Sequence, residues 1–475
     1  MNSKKVIINF IWKFMERTVV QIANLIIQMV LARLLVPEDF AAVAIVTVFI
    51  SIANIFVQSG LGTALIQSKD VTEEDYSTVF YTSLSISVLM VTIIFIMAPF
   101  IANFYDMPIL VKLIRCQSLI ILTGSFNTVQ QAVLSREMKF KKNFFACIIG
   151  CVLSGLVSII CAFKGLGIWS IIILNVLNNL IYSIVLWMLV DWRPKLIFSI
   201  KSMKKMFSFG WKLLAANLVS TVYDNLRTLI IGKVYPATQL AYYNRADVVS
   251  SSLMNGITGS ISAVMLPVLS QSQDCIEDIK KMLKKTFQIN CFVCVPMMFG
   301  LAAVAEDLIV VLFSETWKPA GIFLSIICLG YAFYPMHSAN LQAIYAVGRS
   351  DIVLKLEIIK RVTGFALIIV SIPFGIYAMT FSIVLMSLLA TIINAAPNNK
   401  LLNYSLFEQV KDIWPYFFIS GVMALVVFLV GKNIHFNIII NLFIEVIVGV
   451  ILYVILCVIF KPYAYKYVLN LIKKK

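Results

Sequence analysis

Charge is scarce in this 475-residue chain: 13% of residues are Asp, Glu, Lys or Arg, against 61% hydrophobic. No stretch between the apolar segments is long enough to fold as a separate domain, so the chemistry lies within a membrane. Strands of a membrane barrel would alternate in segments of ~10 residues, and nothing here alternates over that length. A phosphate-binding G-x-x-x-x-G-K-[ST] loop for ATP is also missing. There is no cleavable leader pattern, because Lys13, Glu16 and Arg17 interrupt the first apolar run and no small-x-small site follows. Most of the nine cysteines sit inside apolar segments as small apolar residues. Cys291-x-x-Cys294 has no His or acidic neighbour, which argues against a metal or redox site. No cofactor is expected.

What is present is about fourteen apolar segments, each near the ~20 residues needed to span a bilayer as a helix. They fall at 12–35, 40–66, 77–104, 109–134, 143–163, 166–190, 209–232, 240–270, 286–313, 319–346, 352–373, 375–396, 412–431 and 436–460. The first, fourth, seventh and eighth are the most polar. This pattern predicts an all-α polytopic membrane protein. With the N-terminus inside, the connections holding Lys69, Arg136, Lys139 to Lys142, Arg193 to Lys205, Lys280 to Lys285 and Lys400 are cytoplasmic. The outer connections hold only Lys164, Lys233, Lys318 and Lys432. The positive-inside rule therefore puts both ends in the cytoplasm. The net charge of +16 is a topology signal with attraction to anionic membrane lipids and needs no nucleic-acid partner.

An internal repeat runs through the chain at an offset of 200. Arg17, Gln21, Asn24 and Gln28 fall on Asn217, Thr221, Asp224 and Thr228; Thr47, Ser51 and Gln58 fall on Asp247, Ser251 and Thr258. Pro37 pairs with Pro236, and Gln131-Ala-Val-Leu matches Gln342-Ala-Ile-Tyr at an offset grown to 211. The expected division is a six-helix bundle over 1–200, a second over 201–400, and two further helices with a basic tail over 401–475. Six is even, so the bundles share one orientation, as in transporters that rock two parallel repeats about a central site.

Lys13, Arg17, Gln21, Asn24 and Gln28 form a stripe on one face of the first helix. Asn217, Thr221, Asp224, Arg227 and Thr228 repeat it on the seventh. Thr47, Ser51, Asn54 and Gln58 mark the second helix, and Arg245, Asp247, Ser251 and Asn255 the eighth. Unpaired polar groups cost several kcal/mol in hydrocarbon, so these faces meet protein or a water-filled cavity between the halves. Single Ser, Thr and Asn residues also serve as glue between membrane helices. Deep charges are more telling: Arg17, Arg115, Asp224 and Arg227. Asp224 and Arg227 can neutralise one another at i, i+3, Lys13 and Arg245 can snorkel to the interface, and Glu357 is placed to pair with Arg361. His337 can titrate or simply pack through hydrogen bonds; His435 lies at a span end. Gly60, Gly62, Gly256, Gly259 and Pro267 are candidate hinges.

The layout of six, six and two helices resembles the multidrug/oligosaccharidyl-lipid/polysaccharide exporter superfamily. Ala-Arg-Leu-Leu-Val-Pro-Glu-Asp-Phe (32–40), Gln-Ser-Gly-Leu-Gly-Thr-Ala-Leu-Ile-Gln (58–67), Asp224-Asn-Leu-Arg-Thr-Leu-Ile-Ile-Gly-Lys233, Leu-Ala-Tyr-Tyr-Asn-Arg-Ala (240–246) and Met-Leu-Pro-Val-Leu-Ser (265–270) carry a closer similarity. It is to the Wzx-type polysaccharide exporters, in the branch with colanic acid and teichuronic acid exporters. Ala41 and Ala241 stand where relatives often have glycine. The resemblance implies a flippase in the bacterial cytoplasmic membrane that moves undecaprenyl-diphosphate-linked oligosaccharide to the outer leaflet, beside a polymerase and a chain-length regulator. Arg17, Arg115, Arg227 and Arg245 would then serve the diphosphate, and Gln21, Asn24, Gln28, Asn54 and Gln58 the sugars. Asp224, Asp247 or His337 would couple transport to an ion gradient.

Two alternatives stand beside this. A multidrug or cation antiporter would favour deep unpaired acids, whereas the deep charges here are richer in Arg. A polymerase or sugar transferase would need catalytic residues on a sizeable outer loop, and the outer connections are short. An enzyme is not expected.

Overall fold

The computed structural model describes residues 3–58, 60–270, 276–434 and 436–473; the side chains of Arg17 and of 255–270, and all of His435, lie outside this description. Contacts divide the chain into two compact units, Met1–Ala241 and Tyr242–Lys475.

The first unit runs α1 (Ser3–Leu34), α2 (Pro37–Gln58), α3 (Leu61–Gln67), α4 (Glu73–Phe104), α5 (Ile109–Gln117), α6 (Leu119–Arg136), α7 (Phe140–Phe163), α8 (Trp169–Leu189) and α9 (Ile200–Val234). Helix α10 (Ala237–Ser270) crosses the boundary. The second unit continues with α11 (Ile276–Ala303), α12 (Ala305–Leu312), α13 (Ala320–Tyr331), α14 (Tyr334–Ala346), α15 (Ser350–Ser371) and α16 (Ile376–Leu402). It closes with α17 (Leu406–Asn433), α18 (Ile438–Phe460) and α19 (Tyr463–Lys473). Each expected span falls on one helix or on two consecutive ones.

Among the described residues ten helical stretches are long and apolar enough to cross a membrane, and α1 holds a shorter apolar run, Thr18–Leu34. The fourth span qualifies (Ile109–Arg136) despite its expected polarity. The eleventh does not, because Lys355, Glu357, Lys360 and Arg361 load α15 with charge. There Glu357 takes Lys360 as its partner at 2.5 Å, correcting the expected pairing: the i, i+3 ammonium reaches the carboxylate from the same face.

Local chemistry explains the helix ends. Pro37 opens α2, where its fixed φ suits the first turn, and Glu38 and Asp39 follow on the positive end of the dipole. Thr72 and Asp75 form a capping box on α4, with the Asp75 N–H donating to Thr72 Oγ1 at 3.2 Å and the Thr72 N–H to Asp75 Oδ2 at 3.0 Å. Helix α6 ends in a Schellman turn: the Lys139 N–H donates to Leu134 O at 2.9 Å while Met138 sits at φ 53°. Helix α14 ends the same way, Arg349 N–H to Ile344 O at 3.1 Å, with Gly348 at φ 77°. The left-handed position thus holds glycine in one unit and methionine in the other.

Two arginines cap helices from outside. Arg136 Nη1 donates to the carbonyls of Leu65 (2.7 Å) and Ser68 (2.5 Å) at the end of α3. Arg193 donates to Val190 O at 2.5 Å and Trp187 O at 2.6 Å at the end of α8. Both supply donors to carbonyls that a helix leaves unpaired.

Small residues set the packing. Gly150, Cys151, Ser154, Gly155 and Ser158 are all buried on α7. A Cβ at Gly155 would lie 2.3 Å from Ile27 Cδ1 of α1, and one at Gly150 would lie 3.0 Å from Asn178 Oδ1 of α8. Without a hydrophobic drive between helices in lipid, such close approach supplies the contact. Gly60 and Gly210 meet backbone to backbone: a Cβ on either would stand 2.8 Å from main-chain atoms of the other. That pair holds α9 at one end. At the other, Lys233 Nζ reaches Asp106 Oδ2 at 2.9 Å and the Tyr105 hydroxyl donates to Leu229 O at 3.3 Å. Helix α9, expected from sequence to open the second repeat, is thereby packed within the first unit.

Candidate functional site

In the first unit the stripe on α1 divides. The Cys151 thiol of α7 donates to Asn24 Oδ1 at 3.3 Å, so Asn24 joins two helices. Gln21 is exposed, and Gln28 is half-buried with Oε1 lacking a hydrogen-bond partner. The Arg17 side chain lies outside the described residues. On α2, Asn54 and Gln58 converge on Gly124 of α6, where a Cβ would meet Gln58 Nε2 at 2.7 Å and Asn54 Oδ1 at 3.1 Å. About two turns further along the seam, Gln117 Nε2 donates to Thr47 Oγ1 at 3.3 Å. Arg115 ends α5, its guanidinium 4.1 Å from the centre of the Phe95 ring on α4.

Several buried polar atoms of this unit lack a hydrogen-bond partner: Gln28 Oε1, Asn54 Oδ1, Arg115 Nε, Gln117 Oε1 and Asn127 Oδ1. Native proteins leave few such atoms, and those they leave call for an explanation. Gln117 and Asn127 were not singled out from sequence; their signal was an amide in an apolar span. Asp224 on α9 is exposed, and Arg227 one turn on is half-buried. A separate polar cavity of about 230 Å³ opens among α1, α6, α7 and α8, lined by Lys13, Glu16, Gln131, Asn143, Cys147 and Tyr182. Within it Lys13 Nζ pairs with Glu16 at 2.7 Å and the Tyr182 hydroxyl donates to Asn143 Oδ1 at 2.9 Å.

In the second unit, Arg245 lies against the Phe313 and Trp317 rings at 6.0 and 5.8 Å, held by aromatic faces rather than snorkelling. Asp247 accepts from the Tyr331 hydroxyl at 3.3 Å. His337 Nε2 lies 2.8 Å from Ser387 O and 3.0 Å from Thr391 Oγ1 of α16. The carbonyl fixes Nε2 as the protonated nitrogen. Beside it runs a buried amide chain: Asn398 Nδ2 donates to Asn340 Oδ1 at 2.6 Å, and Asn340 Nδ2 to Gln409 Oε1 at 3.0 Å.

The fourth span and the tenth are each interrupted, at Ser118 between α5 and α6 and at Ala332–Phe333 between α13 and α14. Arg115 precedes the first interruption; Tyr331, the partner of Asp247, precedes the second, and His337 follows it. Discontinuous helices at matching positions of two halves mark substrate sites in transporters.

Together these features define a multi-pass helical membrane transport protein. The fold matches that of the lipid II flippase MurJ in an inward closed conformation, with a TM-score of 0.78 over 96% of this chain and 98% of that one at 17% identity. It also matches an inward-facing multidrug resistance MATE family transporter of the MOP superfamily, with a TM-score of 0.62, 82% and 98% coverage and 16% identity. Residues 30–321 fit the polysaccharide biosynthesis protein family, and the chain belongs to it. Among its relatives is the succinoglycan biosynthesis transport protein ExoT of Rhizobium meliloti (strain 1021), 24% identical over 76% of this chain and 73% of that one. Others are the teichuronic acid biosynthesis protein TuaB of Bacillus subtilis (strain 168), 26% identical over 63% and 62%, and the lipopolysaccharide biosynthesis protein WzxC of Escherichia coli (strain K12), 22% identical over 87% and 85%.

Proposed function

We propose that this protein is a flippase of the bacterial cytoplasmic membrane. It moves undecaprenyl-diphosphate-linked oligosaccharide from the inner to the outer leaflet by ion-coupled alternating access, for the assembly of a surface polysaccharide. The observation that carries the reading is the set of buried, unpartnered polar atoms on Gln28, Asn54 and Arg115, residues whose chemistry suits sugar and diphosphate. Arg17, Arg115, Arg227 and Arg245 bind the diphosphate, while Gln21, Asn24, Gln28, Asn54 and Gln58 serve the glycan. Asp224, Asp247 and His337 remain the coupling candidates. Fourteen crossings with both ends cytoplasmic, in repeats over 1–200 and 201–400 with two added helices, form the framework. A polymerase and a chain-length regulator act on the product.

The test is deletion of the gene in its host with the glycan pathway intact, followed by an impermeant glycan-modifying probe on lipid-linked oligosaccharide. The expected outcome is accumulation on the cytoplasmic face with loss of a surface polysaccharide. Unchanged glycan lipids with new sensitivity to cationic drugs would identify an antiporter instead, and accumulation on the outer face would place the defect after flipping.

A further inference from the structure

Helix α18 is the most apolar of the candidate spans among the described residues, with a mean hydropathy of 3.1, and only 17% of that stretch is buried within the protein. Its single Asp, Glu, Lys or Arg, beside the ionisable side chains of Tyr453 and Cys457, is Glu445. That residue does not snorkel. It is 4% exposed and belongs, with Gly449 and Cys457, to the few buried positions of α18.

The pocket that receives Glu445 is made by a missing side chain. A Cβ at Gly431 of α17 would lie 2.0 Å from Glu445 Oε1, so the carboxyl occupies the notch that glycine leaves. Between the same helices, Val304, Met423 and Val427 form an apolar cluster with Leu308, Leu442 and Leu452. Glu445 Oε2 is buried without a hydrogen-bond partner.

No cation among the described residues pairs with this carboxyl. On α12, Asp307 acts on Glu445 electrostatically, while Glu306 lies against Gly321 of α13; Lys318, Glu315 and Glu306 bear in turn on Asp307. On α17, Lys432 turns to the Phe428 ring at 4.6 Å, and Glu408, Lys411 and Asp412 lie at the far end. The charges of α11 all lie between Glu277 and Lys285, also at the far end. An ionised carboxylate here would bear the full cost of burial beside a like charge. A metal ion is a poor occupant, since no group of three or more His, Cys, Asp or Glu ligands exists among the described residues.

We propose that Glu445 is a proton-binding site, in which a carboxylate takes up one proton to become a neutral acid seated against Gly431 and releases it when water reaches the junction of α12, α17 and α18. The inference rests on the ion-coupled transport reading and places a coupling proton in the two C-terminal helices. Those helices gave no coupling candidate from sequence.

The test is infrared spectroscopy of the purified full-length protein in lipid nanodiscs across a pH series, in water and in deuterium oxide. The wild type should show a protonated-carboxyl carbonyl band that shifts on deuteration and fades as pH rises. Glu445→Gln, close to isosteric, should lack that band, and Glu445→Asp should restore one. Asp307→Asn, which removes the neighbouring like charge, should move the fading to lower pH. A band retained in Glu445→Gln overturns the assignment, as does its absence from the wild type. Disappearance of the band on adding sodium chloride at fixed pH would make the site one for a metal cation and overturn it equally. These readings need no glycan, so they stand apart from the flippase test. In that assay Glu445→Gln should accumulate lipid-linked oligosaccharide on the cytoplasmic face; wild-type export by this variant would remove the coupling role.

Discussion

At the scale of single residues, the arginines and one methionine make the sharpest predictions. Arg17→Ala or Arg227→Ala should abolish export while leaving the protein in the membrane, measured as surface polysaccharide against membrane abundance; normal export from both would remove the diphosphate proposal. Met138→Gly should stabilise the first unit by about 1 kcal/mol, because a left-handed residue with a Cβ is strained where glycine is not. Thermal unfolding in detergent reads that change directly. Side-chain pairing was the least legible feature of the sequence. Asn24 lies in a polar stripe, yet its partner Cys151 is 127 residues away, beyond any local pattern. Glu357 offered two cations within one turn, and only packing selects Lys360. Glu445 was readable in principle as the one charge in the most apolar span, but its notch depends on Gly431 of another helix.

At the scale of elements, hydropathy located the helices well because lipid forces backbone groups to pair within each segment. It located their interruptions poorly. Ser118 and Ala332–Phe333 break helices without a proline at the break, although Pro335 helps to start α14. The arginine cap of α3 gives a measurable case. Arg136→Ala should destabilise the protein by about 1–2 kcal/mol, since hydrogen bonds to a charged group contribute roughly 1.5–3 kcal/mol and these carbonyls are only part-buried. Arg136→Lys should recover part of this, because Nη1 alone meets the carbonyls of Leu65 and Ser68 and an ammonium also carries several donors on one nitrogen, while the Nη2 bond to Lys69 O is lost. Gly210→Ala should separate α9 from α3 at a cost of about 1–3 kcal/mol, and Gly60→Ala likewise. Their double variant should cost less than the sum, because both lose one contact.

At the scale of the molecule, the all-helical class and the run of spans were legible because composition and length alone constrain a membrane chain. The position of α9 was not. Sequence alignment gives that helix to the second repeat, whereas its contacts hold it to the first unit from Gly210 to Lys233. The proposed even number of crossings predicts that tags at both termini are accessible only from the cytoplasm, and protease protection in oriented vesicles checks this. One tag on each side would require an odd count.

Arg136 and Arg193 each perform two tasks, marking the expected cytoplasmic side and finishing a helix. The direction in which the chain enters the membrane and the completion of its folding therefore share the same codons. A lineage drifting toward the opposite orientation could exchange Lys69 or Lys204 freely, but giving up either arginine would also unravel a helix end, so heredity alone would tend to hold the topology in place.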